Sequence, residues 1–347
     1  MKENADKNTQ LCLESILSID EMGYYMPETI LTSQFLQSQI DGLPNISQFN
    51  IEEKTGIVER RVESEEISIT DMAEKAARDV IAKLANKNGF NCQKLDTIIY
   101  GGISRDYLEP SIASLIQKRL GIPAAISFDI NNACLGFLDG MMVVDALVKS
   151  GMSKNALIIA AEKSSITAKL SLEAMQNGTR GDECIATTTV GDGAVAAIAS
   201  ARNVDARFQI VAFSRLTLGE FAECSFLADK YTPMETNSKG IVSGALDNCP
   251  IRIHDMLAHL NWNIEDLKAL VIHQISVSVI NRIADALGVP REKCPRTCDK
   301  YGNMASVSAP FTLIKALNEQ KYKKGDKIIL CGIAAGMSFF IMALEVK

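Results

Sequence analysis

Aromatic and imidazole side chains are scarce in this 347-residue sequence, which has one tryptophan and three histidines. No apolar stretch approaches the roughly 20 residues that a membrane-crossing helix needs, so no membrane span is expected. The opening "MKENADKNTQ" lacks the apolar centre of a signal peptide. Residues 1–10 read as a disordered tail, and the protein as cytoplasmic. Excess positive charge is missing too. A net charge of −6 argues against nucleic-acid binding, which uses a basic face. An acidic partner is left with local patches such as Arg60-Arg61 or Lys321-Tyr322-Lys323-Lys324. The nine cysteines are an odd number in a long chain without a secretion signal, which reads as reduced thiols. Cys294 and Cys298 lie close together but without a nearby histidine. His254 and His259 are five apart and miss the i,i+4 spacing of two ligands on one helix face. No metal site is expected.

What is present is a long-range echo. "LDTIIYGG" (95–102) and "LKALVIHQ" (267–274) are polar-start apolar runs offset by 172 residues. "QKRLGIP" (117–123) and "ADALGVP" (284–290), each a helix closed by glycine and proline, are offset by 167, and "NALIIAAE" (155–162) and "DKIILCGI" (326–333) by 171. Similar offsets in the same order predict a duplicated α/β unit. β-branched apolar strands suit sheets buried on both faces, and the intervening helices suit crossovers. The halves are expected at 11–205 and 206–347. Ligands of such sheets gather at the carboxyl ends of strands.

Three polar residues fall on that face. Cys134, in "FDINNACLGFLDG" (128–140), stands just before a helix. His273 ends the strand "LKALVI", and Asn303 in "YGNMASVSAPFTLIKAL" precedes the matching helix of the second half. A cysteine at a helix N-terminus feels unpaired N–H groups and the positive dipole end, so its pKa is expected below the ordinary ~8.5. The competing reading is packing: free cysteine is often buried, a histidine after a strand is often a satisfied core residue, and an asparagine after glycine is often a turn residue or cap. Glu109, before Pro110 in "SRDYLEPS", is either a helix-dipole partner in the first turn of "SIASLIQKRL" or a general base aimed at the same pocket.

"FDINNACLGF", "VIHQ" and "YGNMASVSAP" resemble the three active-site blocks of the β-ketoacyl-ACP synthase III branch of the thiolase superfamily. "GYYMPETILTSQFL", "TGIVERR" and "KKGDKIILCGIAAGMS" resemble its flanking signatures. "SRDYLEPS" and "NACLGFLDGM" look most like the head-to-head acyl-condensing enzymes of bacterial olefin biosynthesis and related natural-product ketosynthases. The resemblance implies a thiolase fold with duplicated α-β-α-β-α layers, a homodimer, and a Cys134-His273-Asn303 triad. In the olefin enzymes a glutamate of the neighbouring subunit is the base, and Glu109 matches its motif. The branch usually has a tryptophan and an arginine before "TGI" that grip coenzyme A; here Asn50 and Lys54 stand at those places. "VGDGAVA" (190–196) and "GIAAG" (332–336) also depart from the family pattern, and "QIDGLPNISQF" (39–49) reads as expanded, which predicts a rebuilt pocket mouth.

The expected function is Claisen condensation of two acyl thioesters, carried by coenzyme A or acyl carrier protein, through an acyl-Cys134 intermediate, with no bound cofactor. Non-decarboxylative chemistry with Glu109 as base is the first reading. Decarboxylative condensation with malonyl-ACP is the second. Acyl transfer without carbon–carbon bond formation, a non-catalytic partner subunit, or a binding protein with an inert cysteine are the others.

Overall fold

The computed structural model describes residues 12–319 and 322–347. The tail expected at 1–10, and Lys321 of the second basic patch, lie outside them. Nine strands carry the architecture: β1 (Leu17–Tyr25), β2 (Thr97–Tyr100), β3 (Ile126–Asp129), β4 (Asn155–Lys163), β5 (Asp192–Ala201), β6 (Phe208–Thr217), β7 (Leu267–Ile272), β8 (Lys327–Ala334) and β9 (Ser338–Val346). They form one path, β7-β8-β9-β6-β1-β5-β4-β2-β3, and the short strand Cys12–Glu14 also pairs with β6.

Outward from the β1–β6 junction, both arms run in the same order. β1, β5, β4 and β2 are matched by β6, β9, β8 and β7, with the last pair of each arm parallel and the rest antiparallel. The echoed segments 95–102 and 267–274 hold β2 and β7, and 155–162 and 326–333 hold β4 and β8. The duplication predicted from offset apolar runs is therefore physical. The strand pairing that joins the arms is Ser18–Gln209 and Ile19–Phe208.

Six helices make the layers: α1 (Ile69–Asn88), α2 (Ile112–Arg119), α3 (Gly136–Lys149), α4 (Ser238–Leu260), α5 (Val277–Leu287) and α6 (Ser308–Glu319). Leu138, Met141 and Val144 of α3 join Phe311 and Ile314 of α6 in one core with Ile158 of β4 and Leu330 of β8. The first arm's other face packs on α1 and α2, and the second arm's on α4 and α5. This is the five-layer α-β-α-β-α fold. Strands buried on both faces explain why β4 and β5 read as unbroken apolar runs rather than alternating ones.

Local chemistry fixes the ends. Ser68 and Asp71 form a reciprocal capping box at the start of α1, where loss of the cap costs about 1 kcal/mol. Ala73, Ala76, Ala77, Val80 and Leu84 then line its buried face, and Gly89 ends it in the left-handed region. All nine cysteines are unbridged. Among the described residues no helix is long and apolar enough to cross a membrane. The Arg60-Arg61 patch is corrected: Arg60 is 1% exposed, and Arg61 is half-buried, paired with Glu59 and set over the Tyr301 ring. Neither is a free docking cation.

Candidate active site

The sulfur stands on a sharp turn between β3 and α3. Ala133 takes φ 47°, an unfavourable backbone for a residue with a Cβ. The turn persists because it is held from several sides. Leu135 N–H donates to Asn132 O at 3.0 Å, and Asn132 Nδ2 donates to Asp139 at 2.5 Å. Asp139 in turn accepts from Arg215 Nε at 2.8 Å.

His273 follows the last residue of β7, and its N–H donates to Cys331 O on β8 at 2.7 Å. The next residue along β8, Gly332, lies against Leu135; a Cβ there would fall 2.4 Å from Leu135 Cδ2. Pairing across β7–β8 thus brings the imidazole segment to the cysteine turn. His273 is 3% exposed, and burial pushes its pKa down to about 4, so the ring is neutral at neutral pH. Beside it, buried Gln274 accepts from the N–H groups of Thr297 and Cys298 at 2.8 and 3.2 Å. That clamp ties the 297–303 segment to the end of β7.

Asn303 is fixed by its backbone and by one end of its side chain. Its N–H donates to Thr189 O at 2.8 Å, and its carbonyl accepts from Gly191 N–H at 3.1 Å. Gly302 before it has φ 68°, and a Cβ there would fall 2.7 Å from Thr189 O, so only glycine fits. Asn303 Oδ1 accepts from Ala305 N–H at 3.0 Å and from Ser308 Oγ at 3.3 Å. With the oxygen occupied, the amide NH₂ is the group left to donate. Arg60 has its structural role here: it donates to Thr188 O at 2.5 Å, holding the end of the 3-10 helix Asp182–Thr189 on which Asn303 rests.

Two expectations change. Cys134 is half-buried, yet burial first and the Glu162 carboxylate second push its thiol up to about 12. Desolvation of the thiolate outweighs the helix N-terminus that was expected to lower it. Glu109 faces solvent in its own chain. It is exposed on the loop after β2, beside Tyr107 and the 93% exposed Leu108. Pro110 is not in the first helical turn: Ser111 is the N-cap, accepting from Ser114 N–H, and α2 begins at Ile112.

The sequence reading missed Glu162, the fully buried penultimate residue of β4. Its signal was an acid at the end of an otherwise apolar strand, "ALIIAAE". Outside the triad segments, a cleft of about 690 Å³ is lined by Phe49, Lys54, Thr189, Asn237, Ser276 and Arg282 among others. Its wall reaches residues adjoining both His273 and Asn303. Phe49, with Ser47 and Gln48, puts the expanded 39–49 segment at this mouth.

The profile of 3-oxoacyl-[acyl-carrier-protein] synthase III matches residues 128–217, and that of its C-terminal part matches 257–346. The β-ketoacyl-[acyl-carrier-protein] synthase III of Clostridium novyi is 31% identical over 333 residues, which is 93% of this chain and 97% of the relative. This chain belongs to the β-ketoacyl-ACP synthase III family. The synthase III of Aquifex aeolicus is likewise 31% identical, over 323 residues, 93% of this chain and 97% of the relative. Among solved structures, Xanthomonas campestris OleA, as a Cys-to-Ser variant with bound lauric acid and lauroyl-CoA, superposes with a TM-score of 0.88 at 25% identity, covering 96% of this chain and 100% of its own. The synthase III FabH of Xanthomonas oryzae does so with 0.87 at 25% identity, covering 97% and 100%. The thiolase fold expected from the three motif blocks is the fold observed.

Proposed function

We propose that this synthase III family member is a condensing acyltransferase that joins two acyl thioesters in two steps, with Cys134 as nucleophile. In the first, Cys134 sulfur attacks the thioester carbonyl and the carrier thiol leaves. The cysteine proton departs with the carrier sulfur, so the step is a thiol exchange. Backbone N–H groups at the start of α3 and in 332–336 hold the oxyanion. In the second, His273 and Asn303 donate hydrogen bonds to the second thioester carbonyl as it becomes an enolate. The enolate carbon then attacks acyl-Cys134, forming the carbon–carbon bond and releasing the Cys134 sulfur.

One observation supports this reading: His273 is a buried, neutral imidazole on the strand pair whose Gly332 lies against Leu135, and Asn303 has its amide oxygen already engaged, so each has a donor to offer. Such donors are worth about 3 kcal/mol each in a water-poor site. The enolate of a plain acyl thioester requires removal of an α-proton, and Glu109 is the base in this proposal, supplied by the second subunit of a homodimer. Its exposed position beside Tyr107 and Leu108, and the half-buried outer edge of β3, suit burial against another copy. The alternative enolate source, loss of carbon dioxide from a malonyl thioester, is favoured by the synthase III names of the relatives. The 690 Å³ cleft would admit the thioester arm, with Lys54, Lys239 and Arg282 facing phosphate groups of coenzyme A or acyl carrier protein. Reduced thiols and such substrates fit a cytoplasmic enzyme.

The test is intact mass after incubation with lauroyl-CoA, followed by product analysis with a second acyl or malonyl thioester. Wild type should gain one acyl group and Cys134→Ala none. An acyl adduct without any carbon–carbon product would leave a simple acyl transferase, and no adduct would reject the condensing enzyme.

A further inference from the structure

Glu162 is a buried carboxylate with hydrogen-bond donors from three residues, Ile103, Ser104 and Ser306, and, among the described residues, no ion pair. Oε1 accepts from Ile103 N–H at 3.0 Å and from Ser306 Oγ at 2.5 Å, and Oε2 accepts from Ser104 N–H at 3.1 Å. Neighbouring Lys163 does not neutralise it, because its ammonium donates to the carbonyls of Ser64 and Ile67. A buried charge without a cation is expensive to keep, and perturbed buried groups of this kind concentrate at functional sites.

The donors come from two separate loops. Ile103 and Ser104 open the loop that carries Glu109. Ser306 belongs to the turn that follows Asn303, whose geometry is fixed by Ala305 N–H donating to Asn303 Oδ1. Both carboxylate oxygens are needed. In glutamine one of them becomes an NH₂, which cannot accept from an N–H or hydroxyl. The charge of Glu162 also raises the pKa of the Cys134 thiol.

We propose that Glu162 is a positioning residue for the condensation step, locking the loop of Glu109 and the turn of Asn303 into one geometry around Cys134. This rests on the functional reading above and adds to it a residue that touches no substrate. It separates the two chemical steps. Acylation needs Cys134, whereas condensation also needs Asn303 and Glu109 in register.

The test compares wild type, Glu162→Gln and Ser306→Ala with lauroyl-CoA. Acylation of Cys134 is followed by intact mass and condensation by product formation. In Glu162→Gln, acylation should stay within about threefold of wild type while condensation falls 10- to 100-fold. The alkylation rate of Cys134 by iodoacetamide should rise at lower pH than in wild type, because a negative charge near the sulfur is gone. Ser306→Ala keeps that charge, so its alkylation profile should not move, while condensation falls to a lesser degree. Condensation unimpaired in both variants, or acylation lost as fully as condensation, overturns the proposal. If Glu162→Gln fails to fold by circular dichroism, Ser306→Ala decides alone: wild-type condensation overturns it, and a selective loss supports it. A wild-type enzyme that is never acylated rejects the condensing-enzyme reading instead, independently of the variants.

Discussion

Gly101 and Gly136 meet backbone to backbone. A Cβ on Gly101 would lie 2.3 Å from the Gly136 carbonyl, and one on Gly136 would lie 2.4 Å from Gly101 O. This approach seats the start of α3, and with it Cys134, on the end of β2. Neither neighbour is a flexible side-chain tip, so the clash of a methyl group is relieved only by moving the helix start. Gly101→Ala should therefore cost about 3 kcal/mol in urea unfolding and displace the sulfur, seen as a loss of acylation. Stability within about 0.5 kcal/mol of wild type, the range of a neutral surface change, would contradict the close packing.

The Cys134 thiol, pushed up to about 12 by burial and then by Glu162, is protonated throughout the physiological range. Its alkylation rate, followed by peptide mass mapping, should rise steadily from roughly pH 7 to pH 10 without a plateau, since only the thiolate reacts. A plateau below about pH 8 would restore the helix dipole as the dominant influence.

Burial lowers the His273 pKa from 6.5 to about 4. Between those values the unfolded chain binds a proton that the folded protein refuses, so stability rises with pH across this window and is lost as pH falls through it. The full effect is about 3 kcal/mol. Wild type should lose Tm more steeply than His273→Asn between pH 7 and pH 4. Parallel curves would show the imidazole is not buried as described.

Asn303→Ala removes the free amide donor, and with it the oxygen that anchors Ala305 N–H. Condensation should fall about 10²- to 10³-fold, while single-turnover acylation of Cys134 persists. Ser308→Ala, which removes the 3.3 Å donor to Asn303 Oδ1 and the acceptor of Met304 N–H at 2.8 Å but leaves the Asn303 amide in place, should reduce condensation by less than Asn303→Ala does, as expected for the loss of neutral hydrogen bonds. Equal losses of acylation and condensation would mean that Asn303 merely supports the fold.

Glu109 is solvent-exposed in its own chain, so the proposed role as base requires a second subunit. Cys134→Ala and Glu109→Gln should each fail to join two plain acyl thioesters. Mixed dimers of the two would contain one intact site and should recover activity. Wild-type condensation by Glu109→Gln alone, or activity on malonyl substrates only, would assign the enolate to decarboxylation.

The apolar strands, their repetition and the three motif blocks were legible before any fold was known. Strands buried on both faces must be apolar along their whole length, and a duplicated unit leaves its spacing in the chain. The places of Cys134, His273 and Asn303, after a strand or ahead of a helix, were legible from the apolar runs on either side of them. Other features depend on what lies around a residue in space. Arg60 reads as half of a basic patch until Leu31, Ser33 and Thr188 enclose it. Glu162 gains meaning only when residues more than fifty positions away donate to it. The thiol of Cys134 looked acidic beside a helix start, and the surrounding protein made it the reverse. Sequence by itself determined which residues are offered to the site and on which elements they ride. Tertiary structure decided their charge states and partners, because desolvation and hydrogen bonding depend on neighbours that the chain supplies only once folded.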